Sequence, residues 1–380
     1  MYDKTVLKSK ILADILSFNN GKSIKPGGVG RYPVYGSNGV IGFDDKFQEQ
    51  NALIIGRVGA YCGSVYHCKR NFWASDNTIV AYPKSADQDI VFLYYLLKDT
   101  NLNRWAGGAA QPLLTQSVIK NINVIVPPLT IQRKIASILS AYDDLIENNL
   151  KRIKILEEMA QNLYREWFVK FRFPGHENVR FVDSPLGKIP EGWEVVELRE
   201  VLDVKYGKTL PKQKILQSGL YPVYGAGDVI GYYNNAIHKE KCVLVTSRGN
   251  GSGTVWRTRE PAFITNNSLI ITPKRFLNHW DYSFAFLVLK HSNVYGARTG
   301  SAQPQVTIEN LNYVKVIVPA QFCVKTFCSI VTPLYEFVDL IIRKNSSLRN
   351  TRDLLLPKLI SGELDVSALD IKIEEEANNE

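Results

Sequence analysis

Tyr32-Pro-Val-Tyr-Gly36 returns as Tyr221-Pro-Val-Tyr-Gly225, and each copy runs on to a Val-Ile-Gly that ends at Gly42 or Gly231. Outward from these pentapeptides the likeness continues. Gly63-Ser-Val65 matches Gly253-Thr-Val255, Asn77-Thr-Ile79 matches Asn267-Ser-Leu269, and Pro83-Lys84 matches Pro273-Lys274. Ala110-Gln-Pro112 then matches Ala302-Gln-Pro304, and Val126-Pro127 matches Val318-Pro319. The shift drifts from 189 to 192 residues along the chain, as expected when loops absorb small insertions. Self-similarity at one long period makes the chain a duplication.

Each half reads as a globular part followed by a helical part. Short β-type runs at Ala52–Ile55, Thr78–Tyr82, Cys242–Val245 and Leu269–Thr272, punctuated by glycine, predict a mixed α/β (α+β) architecture rich in loops. Phe92–Leu97 and Phe284–Leu289 predict core helices. The boundaries that follow are 1–128 and 193–318 for two globular domains, 129–170 and 319–362 for two helical spacers, 171–192 for a linker, and 363–380 for an acidic tail.

The helical parts carry seven-residue apolar tracks. The first spacer has Ile135, Tyr142, Asn149 and Leu156 on one track and Ile131, Ile138, Leu145, Arg152 and Met159 on the other. The second repeats this with Phe327, Leu334, Ile341 and Leu348, and with Ile330, Phe337 and Lys344. Two long helices with matching narrow stripes are expected to bury them against each other, antiparallel, as a coiled-coil spacer with an internal pseudo-two-fold. Arg152 and Lys344 fall at one seam position, where an isolated polar residue fixes register. Pro333 suggests that Thr332 caps the start of the second long segment. About 40 residues of helix make a rod of roughly 60 Å.

The 380 residues suit two or three domains. An apolar share of 45% excludes disorder and collagen-like classes. No apolar run approaches a membrane helix, and the start of the chain lacks a signal-peptide core, so a cytoplasmic protein without membrane contact is expected. Five cysteines (Cys62, Cys68, Cys242, Cys323, Cys328) without CxxC spacing read as reduced thiols. Cys62, His67 and Cys68 lack the second pair that a zinc site needs. The net charge of +9 is concentrated: residues 1–128 carry 14 basic against 9 acidic groups, and 193–318 carry 15 against 9. Two basic blocks point to a polyanionic partner, nucleic acid above all.

Enzyme motifs fail one by one. Gly21-Lys-Ser23 and Gly207-Lys-Thr209 end like a phosphate-binding loop, but the leading glycine is replaced by Leu16 and Leu202. Gly225-Ala-Gly227 begins a dinucleotide fingerprint that is not completed. Val126-Pro-Pro-Leu129 lacks the polar first residue and aromatic last residue of an amino-methyltransferase tetrapeptide. The five histidines (His67, His176, His238, His279, His291) do not recur between halves, so no duplicated catalytic site follows. No site is expected for catalysis, metal or cofactor on this chain.

What recurs is basic, polar and aromatic material in glycine-rich loops. Lys22, Tyr35 and Arg57 correspond approximately to Lys208, Tyr224 and Arg248, with Gln111 and Gln303 in a small-residue loop before the last strand. Arginine suits guanine edges, asparagine or glutamine suits adenine, and lysine suits phosphate, so these residues are tools for duplex DNA. Ser37, Asn38, Tyr61 and Asn77 complete the first set; Asp228, Asn250, Ser252, Asn267 and Arg298 complete the second. The loop tips differ, Ser37-Asn38 against Ala226-Gly-Asp228 and Val58-Gly-Ala-Tyr61 against Gly249-Asn-Gly-Ser252, which implies one architecture reading two sequences. Tyr35 and Tyr224 also read as core aromatics, and the glutamines as turn caps.

The pentapeptide in both halves, Val126-Pro-Pro-Leu129 leading into Ile131-Gln-Arg-Lys-Ile135, and the stretch from Phe171-Arg-Phe-Pro-Gly-His176 to Ser184-Pro-Leu-Gly-Lys-Ile-Pro-Glu-Gly-Trp193 are shared features of one family. Over its whole length the chain resembles the specificity subunit of Type I restriction-modification systems. Val318-Pro-Ala-Gln321 and Pro333 depart from the first spacer. The resemblance implies a non-catalytic subunit that reads a bipartite, asymmetric site on double-stranded DNA. It also implies assembly with two methyltransferase subunits and with restriction subunits, which use S-adenosylmethionine, ATP and magnesium. Helix faces outside the seam, including Trp167 and Phe168, are the expected docking surfaces. Pseudo-two-fold geometry would place the domains on major grooves about 34 to 36 Å apart. Two other readings stay open here: a scaffold whose basic domains bind RNA or protein, and an enzyme carrying the activity itself.

Overall fold

Ala52-Leu-Ile-Ile55 alternates across a sheet: Leu53 and Ile55 join one buried cluster, Ala52 and Ile54 another. Val243 and Val245 repeat this in the second half against Cys242 and Leu244. Strands that are apolar on both faces must be covered on both faces, which commits each half to a layered α/β core. The computed structural model describes residues 8–25, 27–108, 111–300 and 303–371. Ala110, Ala302, the first residues from Met1, and the acidic tail beyond 371 lie outside them. The chain divides into two compact units, residues 1–148 with 344–380, and residues 149–343.

In the first unit, β1 (Lys8–Ile11), α1 (Leu12–Ile15), β2 (Leu16–Asn20), β3 (Tyr32–Gly36), β4 (Gly39–Asp44), β5 (Glu49–Gly56), β6 (Val65–Ala74) and β7 (Thr78–Pro83) precede α2 (Ile90–Asp99). Then come α3 (Gln116–Lys120), β8 (Asn123–Val126) and α4 (Leu129–Tyr164). The six-stranded sheet has the order β2-β7-β5-β6-β3-β4, in which β3 and β6 are parallel and the other pairs antiparallel; β1 pairs with β8 apart from it. Helix α2 begins where the Asp89 carboxylate accepts the Phe92 N–H at 2.7 Å, one of the orphan donors of a first turn.

The second unit opens on a hairpin, β9 (Phe181–Ser184) with β10 (Gly187–Pro190), in the stretch expected as a linker. Phe173, Ile189 and Trp193 sit in the core beside it, so this segment is packed structure. There follow β11 (Glu194–Glu197), α5 (Leu198–Val201), β12 (Leu202–Tyr206), β13 (Tyr221–Tyr224), β14 (Val229–Tyr233), β15 (Val243–Thr246), β16 (Val255–Arg257), β17 (Phe263–Ile264) and β18 (Ser268–Pro273). The unit continues with α6 (Tyr282–His291), β19 (Arg298–Thr299), β20 (Gln305–Val306), α7 (Ile308–Asn312), β21 (Lys315–Val318) and α8 (Gln321–Ile360). The one sheet of the first unit becomes two, β12-β18-β15-β16 and β14-β13-β17. Where β6 is continuous, Arg259-Glu-Pro261 interrupts its counterpart into β16 and β17, since proline has no N–H for a ladder. Asp281 caps α6 through the Phe284 N–H at 2.8 Å, as Asp89 caps α2.

Each unit contains a stretch of both long helices. In the first, Ile131, Ile135 and Leu139 of α4 share a core with Leu355, Leu359 and Ile360 near the end of α8. In the second, Ala160, Leu163 and Tyr164 share a core with Val324, Phe327 and Val331 near the start of α8. The stretches therefore run antiparallel within each unit. Of the expected seam, Ile135 and Phe327 are buried and Tyr142, Leu156, Leu334 and Leu348 half-buried. Leu145 and Phe337 are not seam residues: they are 48% and 47% exposed, while Ile146 at 7% and Val338 at 0% face inward. Among the buried polar positions of the two helices, Asn149 lies on its expected track and Asn345 lies one residue beyond Lys344, while Arg152 and Lys344 are exposed. A turn of 3.6 residues lets the inner stripe step by three or by four, and both choices meet an apolar residue here. Helix α8 also runs unbroken through Pro333, so Thr332 does not start it; its hydroxyl bonds the Asp281 carboxylate. Among the described residues no helix is long and apolar enough to cross a membrane.

Candidate nucleic-acid interface

The loops at one end of each sheet are sewn together by matching backbone bonds. The Arg57 N–H donates to Asn77 O at 2.9 Å, and the Leu114 N–H donates to Arg57 O at 2.9 Å. In the second unit the Ser247 N–H donates to Asn267 O at 2.8 Å, and the Val306 N–H to Ser247 O at 2.8 Å. Gly59 to Pro112 O at 3.0 Å is repeated by Gly249 to Pro304 O at 3.1 Å, and Ser75 to Tyr35 O by Thr265 to Tyr224 O, both at 2.9 Å. Four loops from distant parts of each half thus converge on one site.

Lys22 and Lys208 enter these sites by the same route. Their N–H groups donate to Ala74 O and Ile264 O, both at 2.9 Å. The glycine before each is required by space: a Cβ on Gly21 would stand 2.0 Å from Ser75 O, and one on Gly207 would stand 2.2 Å from Thr265 O. Gly-Lys-Ser and Gly-Lys-Thr therefore record a close backbone crossing that delivers a lysine.

The convergence brings Lys22, Ser37, Asn38, Arg57, Asn77 and Gln111 together in the first unit, with Tyr61 on the same loop as Arg57. Ser37 Oγ donates to Asn77 O at 2.8 Å and accepts from the Val58 N–H at 3.2 Å, locking the β3–β4 tip to the loop after β5. In the second unit it gathers Lys208, Asp228, Arg248, Asn250, Asn267, Arg298 and Gln303. There the tip is held differently: the Gly225 N–H donates to Asp228 O at 2.8 Å, and Ser268 Oγ donates to Gly225 O at 2.7 Å. Lys22, Asn38, Tyr61, Asn77 and Gln111 are exposed, as are Lys208, Asp228, Arg248, Asn250, Asn267 and Gln303.

Three expected residues are placed otherwise. Tyr224 is buried against Leu244 and Ile264, and Tyr35 packs edge-on to Phe72, so both rings support the loops from beneath. Burial is the main reason that both hydroxyls are pushed above the usual phenol range, with Cys68 adding to it at Tyr35. Ser252 is 1% exposed, its Oγ enclosed within the loop. Trp167 and Phe168 are no docking surface either; they pack on Phe327 in the second unit's core.

The backbone bonds also revise one correspondence. Arg57 stands where Ser247 stands, and Arg248 stands where Val58 stands, since Val58 bridges Leu113 as Arg248 bridges Gln305. Residues missed by the repeat search are Tyr295, whose ring lies 4.3 Å from the Arg298 guanidinium, and Trp256, which stands where Tyr66 stands in the first half and whose Nε1 donates to Thr246 Oγ1 at 2.9 Å beside Gly227. Each cluster offers lysine ammonium, arginine guanidinium, side-chain amides and hydroxyls on a fixed backbone. Such donors and acceptors fit phosphate oxygens and base edges.

Comparison with known proteins agrees with this chemistry. The family model described as Type I restriction modification DNA specificity domain matches residues 7–158 and again 190–350. The MjaIX specificity subunit of a Type I restriction enzyme from Methanocaldococcus jannaschii is 30% identical over 303 residues, spanning 73% of this chain and 70% of that protein. A putative type I specificity subunit from Mycoplasma genitalium is 25% identical over 84% of this chain and 83% of its own length. The crystal structure of a Type I restriction-modification S subunit from M. genitalium superposes with a TM-score of 0.66 at 20% identity, covering 95% of this chain and 98% of that one. The last likeness concerns the fold: two mixed α/β domains with long helices.

Proposed function

The chain belongs to the Type I restriction-modification DNA specificity family, and from that premise we propose that it is the non-catalytic reader of a bipartite, asymmetric site on duplex DNA. Each unit takes one half-site with its own loop cluster. The carrying observation is that both clusters hang on the same backbone bonds while their tips differ, Ser37-Asn38 against Ala226-Gly-Asp228. A shared scaffold fixes how a domain sits on DNA; a different tip changes which bases it prefers.

Adenine methylation is supplied by two methyltransferase subunits with S-adenosylmethionine, and cutting by restriction subunits with ATP and magnesium, in the cytoplasm. For docking, the long helices offer apolar side chains outside their seams: Leu145 in the first unit, and Ile155, Met159, Phe337 and Leu340 in the second. Single exposed apolar residues are ordinary on a surface, but rows of them on a helix suit a protein partner.

Co-expression with the cognate adenine methyltransferase subunit, followed by genome-wide mapping of N6-methyladenine, tests the proposal. A split, asymmetric motif present only when both chains are expressed is the expected result. Methylation of the same sites by the partner alone, or a stable complex without any motif, overturns it in favour of a scaffold that binds RNA or protein.

A further inference from the structure

Outside the long helices, the described arginines fall into three groups. Arg257 is buried and paired with Asp339 at 2.7 Å. Most others, Arg248 included, are exposed. Only Arg57 and Arg298 are half-buried, and both lie in the loop clusters.

Arg57 is held from both sides by its backbone, through Asn77 O and the Leu114 N–H. Its Nε is enclosed and meets no hydrogen-bond acceptor, and no carboxylate pairs with its guanidinium among the described residues. A partly desolvated charge without acceptors is a cost that folding alone does not repay. In the second unit the same slot is closed: Ser247 is buried and its Oγ donates to Val306 O at 3.1 Å. That unit brings its half-buried arginine from another strand, at the position of Ala106. Arg298 stacks 4.3 Å from the Tyr295 ring, and its Cδ lies 3.7 Å from where a Cβ on Gly253 would be. A guanidinium fork held by packing or by a ring loses little freedom on binding and matches two acceptors side by side. The O6 and N7 atoms of guanine in the major groove present such a pair.

We infer that Arg57 and Arg298 are the specificity-determining arginines of the first and second half-sites, each taking one guanine edge, while exposed Arg248 takes a backbone phosphate. The inference rests on the DNA-reading function proposed above and assigns its residues. The pairing of Arg57 with Arg248 suggested by the repeat then dissolves into two arginines of unlike task.

The test uses the full chain with its methyltransferase partner and reads the methylated motif genome-wide for Arg57→Ala, Arg57→Lys, Arg298→Ala and Arg248→Ala. Arg57→Ala relaxes one guanine in one half-site, with roughly ten- to a hundred-fold less discrimination there and the other half unchanged. Arg298→Ala does the same in the opposite half. Arg57→Lys keeps the charge and the fold but also relaxes the guanine, because the fork is lost. Arg248→Ala lowers methylation at all sites alike and weakens salt dependence. An unchanged motif in folded Arg57→Lys and Arg298→Ala complexes, or loss spread over both halves, overturns the assignment while leaving the split motif of the unaltered chain standing. Absence of any split motif with the unaltered chain overturns the function itself and this inference with it.

Discussion

In the first unit Asp143 of α4 accepts a hydrogen bond from Tyr95 at 2.6 Å and pairs with Arg352 of α8. In the second, Asp339 of α8 is buried between Arg257 at 2.7 Å and Lys241 at 2.9 Å. The repeat places Tyr335 opposite Asp143, and its ring lies 4.6 Å from the Arg257 guanidinium. The anchoring acid has moved one helical turn, from the Tyr335 position to Asp339, and its cations are Arg257 of β16, which stands in place of His67, and Lys241 just ahead of β15. Two copies of one fold have thus fastened their globular parts to helix by different chemistry, a phenol donating to a helix carboxylate in one and a buried ionic cluster in the other. The clustered loops share their backbone bonds; the attachments do not.

The largest break in this comparison is expected at Asp339. Asp339→Ala strands the buried Arg257 without a counter-charge, costing about 3–5 kcal/mol. Asp143→Ala removes a partner from a more accessible pair and costs about 1–3 kcal/mol. Urea unfolding of the full chain, with hydrogen exchange to say which unit opens first, measures both; equal losses would mean that the two attachments are equivalent.

A second contrast runs along the helices. Ile146→Ala removes buried apolar volume from the first unit and costs about 2–4 kcal/mol, whereas Leu145→Ala stays within about 0.5 kcal/mol. Val338→Ala and Phe337→Ala reproduce the order in the second unit with a smaller buried side chain. A reversed order in thermal melts would return the seam to the neighbouring track.

The smallest effect concerns His67. Its Nε2 lies 3.0 Å from Asn51 Oδ1, and burial, with Lys69 nearby, lowers its pKa from 6.5 to about 4. A base held neutral in the folded state takes up a proton on unfolding, so its contribution is complete above pH 6.5 and declines as pH falls toward about 4. His67→Gln should flatten the stability profile of the first unit in that window and leave the second unit's profile as it was. Stability that instead rises on acidification would contradict the assignment.

The duplication was legible because it repeats short motifs at nearly one spacing, and the β-type runs and the two core helices because each is a compact apolar run. One seam track was legible as well. The other slipped by one residue because Leu145-Ile146 and Phe337-Val338 offer adjacent apolar side chains, and only packing chooses between them. The Arg57–Arg248 pairing failed for a related reason: with a shift that drifts from 189 to 192, a one-residue ambiguity in a loop changes which side chain occupies a slot. Tyr224 and Ser252 carry polar atoms that favoured the surface reading, yet their loops fold over them. Tyr295 escaped notice because it has no counterpart in the first half.

The chain path has a consequence for synthesis. The second unit is one uninterrupted stretch, residues 149–343, whereas the first needs residues 344–371 to bring Leu359, Ile360 and Val366 into the core begun by Leu12 and Ile15. A ribosome moving at about 5–20 residues per second delivers the second unit whole while the older first unit still waits for its closing helix. Order of emergence and order of completion are therefore reversed, and the earlier-made apolar surface at Ile131, Ile135 and Leu139 stays uncovered for the longest interval, which is where a nascent-chain chaperone would find its binding site.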